Sequence, residues 1–239
     1  MPDPAPAPNV DQAPLDVARV EVSVLVGFDA QAARRAGGMD LLLDSVFADV
    51  ARANHAFATS RTGVTLRVVS VRRCDAPEAR DPGALLNALV DDPACGELRR
   101  ERDRVRADLV TYIAPATLAA RGKAFVMSEP DPRFAAFAYS VVSVLSLGGL
   151  TLAHEIAHNF GCDHDREHVE GAPPGGPAFG WRFCTGGVDY RTIMSRQAGV
   201  ALPVFSSPRI RFGDSPAGTA RADNASVIRA NAGLVASFR

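Results

Sequence analysis

Valine and leucine alternate with polar residues from Ala18 to Phe28 (ARVEVSVLVGF). A two-residue period of this kind predicts a strand. The period then changes. From Met39 to Ser60 (MDLLLDSVFADVARANHAFATS), Leu42, Val46, Phe47, Val50, Asn54 and Phe57 recur at helical spacing, and Asp40 can cap the start. Thr65 to Arg73 (TLRVVSVRR) returns to a strand pattern. ALLNALV and ELRRERDRVR read as helix pieces with Pro93 breaking the run between them. Ala107 to Pro115 (ADLVTYIAP) is a short buried strand, and KAFVMSE and AFAYSVVSVL are two further strand candidates joined by the turn EPDPRF.

This β-α-β-α-β order predicts a largely parallel sheet with right-handed crossovers. The short connection between the last two strands suits antiparallel neighbours. Lys123 to Ser128 (KAFVMS) is the candidate edge strand. A helix opens near Gly149 to Thr151. After His168 the stretch VEGAPPGGPAFGWRFCTGGVDY is rich in Gly and Pro and predicts little regular structure. The final ADNASVIRANAGLVASFR reads as a helix capped by Asp223, with Val227, Ile228, Leu234, Val235 and Phe238 on one face. The expected fold is α/β (α+β). An upper lobe, about 18–164, holds a mixed, mostly parallel twisted sheet with an antiparallel edge strand and helices. A small irregular lower lobe, about 165–239, is closed by the C-terminal helix.

The chain of 239 residues is long enough for one domain over 18–239, expected to be a monomer. Residues 1–17 read as a disordered lead-in, without the basic start and apolar core of an export signal. Either the protein is cytoplasmic, or a signal has been removed and its place is secreted or periplasmic. A net charge of -1 points to neither nucleic acid nor an anionic membrane as partner. No apolar run reaches the length of a membrane span. The four cysteines, Cys74, Cys95, Cys162 and Cys184, form no CxxC pair. They are either buried thiols or two bridges, as in an exported protein. Of three connectivities, Cys74–Cys95 with Cys162–Cys184 is the most local, and a Cys162–Cys184 bridge is expected to fasten the lower lobe.

The chemistry concentrates in HEIAHNFGCDHD, His154 to Asp165, which uses three of the chain's five histidines. On a helix, His154 and His158 share one face. Gly161 can end that helix in a left-handed turn, returning the chain so that His164 meets the same ion. Three imidazoles and a water make an open tetrahedral zinc site, expected to hold one Zn2+. Glu155, one residue round from His154, reaches the water and can act as its base. Such a site hydrolyses peptide bonds without a covalent intermediate. The competing reading is a non-catalytic, zinc-stabilised module that binds peptides. The intact Glu155 favours the enzyme, because a binding module has no need of a base there. His55 and His168 lie outside the motif and are expected to be ordinary surface or partly buried side chains.

The long histidine signature resembles that of the metzincin metallopeptidases, and YRTIMSR resembles their Met-containing turn. From Ala18 to Arg239 the chain is similar to the bacterial peptidyl-Asp metallopeptidases and their reprolysin-like relatives. DVARVEVSVLVGF, RADLVTY, FSSPRIRFGDSPAGT and the C-terminal segment carry that wider likeness. The resemblance implies His154, His158 and His164 as ligands, Glu155 as catalytic base, Met194 as a hydrophobic floor and Asp165 as an anchor within the lower lobe. It also implies an extended protein or peptide substrate along the edge strand, added by backbone hydrogen bonds. Two departures stand out. The segment before the edge strand is ARGKAF, without the cysteine often found there, and Arg196 occupies the position where some metzincins place Tyr. The resemblance further implies cleavage before Asp. Arg182, Arg191, Arg196 and Arg209 lie in a stretch whose one acid is Asp189. Arg196, two residues past Met194, is the first candidate to bind a substrate carboxylate. The alternative is an apolar pocket lined by Val200, Leu202 and Val204.

Overall fold

A computed structural model describes residues 7–10, 17–168 and 175–239. A two-residue strand, β1 (Asn9–Val10), precedes the long β2 (Val20–Phe28). Then come α1 (Ala30–Ala36), α2 (Met39–Thr59) and β3 (Val64–Arg73). α3 (Pro82–Asp91) and α4 (Gly96–Val105) lead to β4 (Leu109–Ala114). β5 (Gly122–Ala124) and β6 (Tyr139–Ser143) precede α5 (Thr151–Asn159). The remainder holds β7 (Arg182–Thr185), β8 (Val188–Arg191), β9 (Val200–Ala201), β10 (Ser207–Phe212), β11 (Ser215–Ala217) and α6 (Asn224–Val235).

The central sheet has five strands in the order β3-β2-β4-β6-β5. All its pairings are parallel except that of β5, which runs antiparallel to β6 at the edge. This is the mixed sheet that the strand order predicts. β2 shows why both faces are apolar. Val22, Val24, Val26 and Phe28 face a core shared with Leu42 of α2, Ile156 of α5 and Ile228 of α6. Leu25 points the other way, among Leu85, Leu86 and Leu89 of α3 and Leu98 of α4. A parallel sheet covered by helices on both sides gains apolar burial on each face.

Several expectations change in detail. α1 has no strong apolar period and is set by Asp29, whose carboxylate accepts from the Gln31 N–H and caps it. α2 is capped by Gly38, so Asp40 falls inside the first turn, where its charge complements the helix dipole. The edge strand is shorter than Lys123 to Ser128. Beyond Ala124 the chain bends inward, and the Met127 N–H donates to the His158 carbonyl at 3.1 Å. The lower lobe is more regular than its Gly and Pro content suggests. Two small three-stranded sheets, β7-β8-β9 and β1-β10-β11, enclose Phe183, Tyr190, Ile210 and Phe212. Within the lead-in, Asn9 pairs with Arg211 and Val10 with Ile210. Residues 1–6 and 11–16 of that lead-in, and 169–174 of the Gly- and Pro-rich stretch, lie outside the described residues. Asp223 caps α6, accepting from the Ser226 N–H at 3.0 Å.

The expected Cys162–Cys184 bridge is corrected by the structure. Cys162 is fully buried and its thiol donates to the Asn224 carbonyl at 3.7 Å. On β7, Phe183 faces inward, so its neighbour Cys184 faces out. The two-residue period of a strand thus puts Cys184 on the wrong side. Among the described residues, no helix is long and apolar enough to cross a membrane.

Candidate active site

α5 is anchored by Leu152, Ile156 and Ala157, all buried in the larger core. Its helical spacing turns His154 and His158 to the same side, with ring centroids 5.0 Å apart. The helix ends where the Gly161 N–H donates to the His158 carbonyl at 3.0 Å, with Gly161 at φ 94. A Cβ on Gly161 would sit 2.9 Å from the Met127 carbonyl oxygen, so the turn needs glycine for space as well as for conformation. The reversal brings His164 back, and its Nε2 lies 3.1 Å from Nε2 of His154.

The outer ring nitrogens of His154 and His158 are committed to backbone carbonyls. His154 Nδ1 faces the Ile193 carbonyl at 2.9 Å, and His158 Nδ1 faces the Cys162 carbonyl at 2.7 Å. A carbonyl only accepts, so both Nδ1 atoms donate and both Nε2 atoms carry lone pairs. His164 Nδ1 lies 3.4 Å from the buried Asp163 carboxylate, which also accepts from the His164 N–H at 2.7 Å. The candidate ligand atoms of the three histidines all lie within 4.8 Å of one another. The inward lone pairs of His154 and His158 are the donors that a cation in this cluster would need. A tetrahedral zinc ion with ordinary Zn–N bonds would space its nitrogens about 3.3 Å apart, so the donor set fits one. Burial also keeps the rings neutral, as ligands must be. It lowers the His154 pKa to about 4, helped by the positive charge of Arg196, Arg191 and Arg121. Burial likewise holds His158 well below the usual imidazole value.

Glu155 and His154 line a cleft of about 700 Å³. Glu155 is only 5% exposed, and it lies against the edge strand. A Cβ on Gly122 would come within 2.7 Å of Glu155 Oε1, so this glycine makes room for the carboxylate beside β5. Met194 is fully buried in a tight turn closed by the Ser195 N–H donating to the Thr192 carbonyl at 3.0 Å. The preceding residue of that turn, Ile193, supplies the carbonyl that orients His154. Asp165 ties the segment after His164 to the same turn. Its Oδ2 accepts from the Arg196 N–H at 2.7 Å and lies 3.2 Å from His168 Nδ1. His168 and His55 stand outside the ligand cluster, His55 being on α2 near Thr59.

Arg121, Arg191 and Arg196 line the cleft, and among its described lining residues Glu155 is the one acid. Arg196 lies at the exposed mouth. Arg191 is half-buried, and its guanidinium donates to the Ser195 carbonyl at 2.9 Å. Arg182 pairs with Asp189 away from the cleft. Leu202 and Val204 are buried in the lower-lobe core, and Val200 is 45% exposed. The contributions of Gly122, Asp163 and the Ile193 and Cys162 carbonyls were not read from the sequence. Backbone acceptors leave no trace in residue identity, and Asp163 sits in the motif as an unremarked spacer.

The chain matches the family described as Metallo-peptidase family M12B Reprolysin-like over residues 18–223. No curated protein matches it. A solved structure described as "Structure of a chaperone-substrate complex" superposes with a TM-score of 0.76 at 19% identity, covering 92% of this chain and 36% of that one. At that identity the likeness is one of fold. Metalloproteinase-II from Bacteroides fragilis aligns with a TM-score of 0.41 at 14% identity, over 63% of this chain and 45% of that one. The chain thus spans about a third of the first structure's length and under half of the second's.

Proposed function

Because the chain belongs to the reprolysin-like metallopeptidases of family M12B, we propose that it is a zinc endopeptidase using Glu155 as general base and preferring to cut before Asp. His154, His158 and His164 would hold the ion. The observation that carries this reading is the convergence of the histidine nitrogens, with the outer nitrogens of His154 and His158 bound to carbonyls. Zinc bound there supplies Lewis acidity, lowering the pKa of water and polarising the scissile carbonyl.

The chain's own residues do the rest. The exposed edge of β5 pairs with an extended peptide and sets the scissile bond over the histidines. Glu155 accepts the proton of the attacking water and delivers it to the leaving amine nitrogen. Its burial beside Gly122 fixes the carboxylate. Arg191, pinned by Ser195, and Arg196 at the mouth offer planar donors to a substrate carboxylate just past the cut. Their support is the excess of arginine in the cleft and the absence of Leu202 and Val204 from its described lining.

The test is Glu155→Gln. This variant should retain its zinc in metal analysis and its far-ultraviolet circular dichroism. Its rate on casein should fall by at least roughly 10² to 10⁴, the usual worth of proton transfer. A zinc-loaded variant as fast as wild type would assign the base elsewhere.

A further inference from the structure

Two cysteines outside the cleft belong to one buried cluster of the fold. Cys74 is the residue after β3, and Cys95 ends a 3-10 turn, Pro93–Cys95, between α3 and α4. Both backbones are held. The Cys74 N–H donates to the Phe28 carbonyl at 3.0 Å, and its carbonyl accepts from the Tyr112 hydroxyl at 2.6 Å. The Cys95 N–H donates to the Asp92 carbonyl at 3.0 Å. Both side chains are buried, at 7% and 0% exposure, in the core between the sheet, α3 and α4. Both are thiols in this structure. Ala94 and Glu97, on either side of Cys95, line one surface cavity together with Cys74, and Arg72 pairs with Glu97 at 3.3 Å, so the end of β3 lies against the turn that carries Cys95.

The pair is reachable from one side. A surface cavity of about 500 Å³ opens on Cys74, lined also by Phe28, Met39, Arg73 and Glu97. The neighbouring Cys95 thiol, with a smaller contribution from the charge of Arg99, holds the Cys74 thiol below its ordinary value. The same contact with Cys74, and burial, push Cys95 up. Cys74 is thus the more acidic and more accessible sulfur, with Cys95 deeper in the same cluster. Attacking and resolving thiols need this arrangement.

We propose that Cys74 and Cys95 form a cross-linking site, oxidised by an external disulfide to a bridge joining the end of β3 to the turn between α3 and α4. The Cys74 thiolate attacks one sulfur of the external disulfide. A mixed disulfide forms, and the other external sulfur leaves as a thiol after taking up a proton. Cys95 then loses its proton and attacks the Cys74 sulfur, releasing the second external thiol. Two protein thiols are oxidised and one external disulfide is reduced to two thiols. The bridge acts on the cleft through α3, which packs on β5 and β6. Fastening α3 stiffens the support of the edge strand.

The experiment uses the full chain carrying Cys184→Ser, which removes the exposed thiol. Protein is equilibrated with oxidised or reduced glutathione, denatured, alkylated and cut with trypsin without reduction. Cleavage after Arg73, Arg80 and Arg99 places Cys74 and Cys95 on separate peptides, 74–80 and 81–99. After oxidation these peptides should appear joined, while Cys162 remains alkylated. The oxidised protein should melt roughly 6 to 12 °C above the reduced one, the shift expected for closing a loop of this size. Cys95→Ser should abolish both effects. If that variant fails to fold, the oxidised and reduced wild-type forms still decide. Peptides 74–80 and 81–99 alkylated separately after oxidation, or glutathione retained on Cys74 alone, would overturn the proposal.

Discussion

His154 and His158 each commit one ring nitrogen to a backbone carbonyl, and the remaining nitrogens converge with that of His164. The histidines, Glu155 and Gly161 were legible in the sequence because helical spacing and glycine punctuation are geometric statements. The acceptors that orient the rings were not legible, since Ile193 and Cys162 act through their main chains. Arginine illustrates the same limit. Sequence distance from Met194 favours Arg196, yet Arg191 is the half-buried one, fixed by Ser195, because β8 aims it at the cleft. Arg191→Ala should therefore lose selectivity for Asp after the cut. A charge-assisted contact of this type contributes about 1.5–3 kcal/mol, so kcat/KM for Asp-containing peptides should fall roughly 10- to 100-fold. Peptides with an apolar residue there should be cut as before. Preference for Leu or Phe, unchanged in Arg191→Ala and in Arg196→Ala, would remove the acidic pocket and leave the hydrolytic site intact.

Elements with a strong period, such as β2, α2 and α6, follow from the sequence because one side chain after another repeats the same burial. Elements held by a single cap or by pairing with a distant strand do not. α1 depends on Asp29, and β1 exists only by pairing with β10. The small sheets of the lower lobe are short runs between glycines, where local pattern carries little signal. α5 combines both cases. The shared face of His154 and His158 is legible in the sequence, whereas the junction of the helix with the segment after β5 is not. At that junction Gly161 packs against the Met127 carbonyl and the Asn231 side chain, whose amide donates to the Phe160 carbonyl at 2.8 Å. Gly161→Ala should cost about 1–3 kcal/mol for the left-handed backbone alone. The close Cβ contact at 2.9 Å adds to that. Calorimetry should show a melting temperature lower by roughly 5 °C or more, with weaker zinc retention as His164 shifts. An unchanged melting temperature would mean that the turn has slack which the contacts do not show.

Across the whole molecule, the sheet core and the lower lobe meet at the histidines. α5, from the upper part, supplies two of them and Glu155, the chain reversal supplies the third, and the turn at Met194 closes beneath. Family membership gives the class of chemistry, a metallopeptidase. The arrangement of donors carries the proposal of zinc at this particular place. The most direct test is a digest of a mixed peptide library by the purified protein, read by mass spectrometry, before and after stripping metal with 1,10-phenanthroline and again after adding zinc. The account predicts cleavage that stops on stripping and returns with one equivalent of zinc, with no recovery in His158→Ala. Cleavage that continues in protein shown by metal analysis to be zinc-free would contradict it.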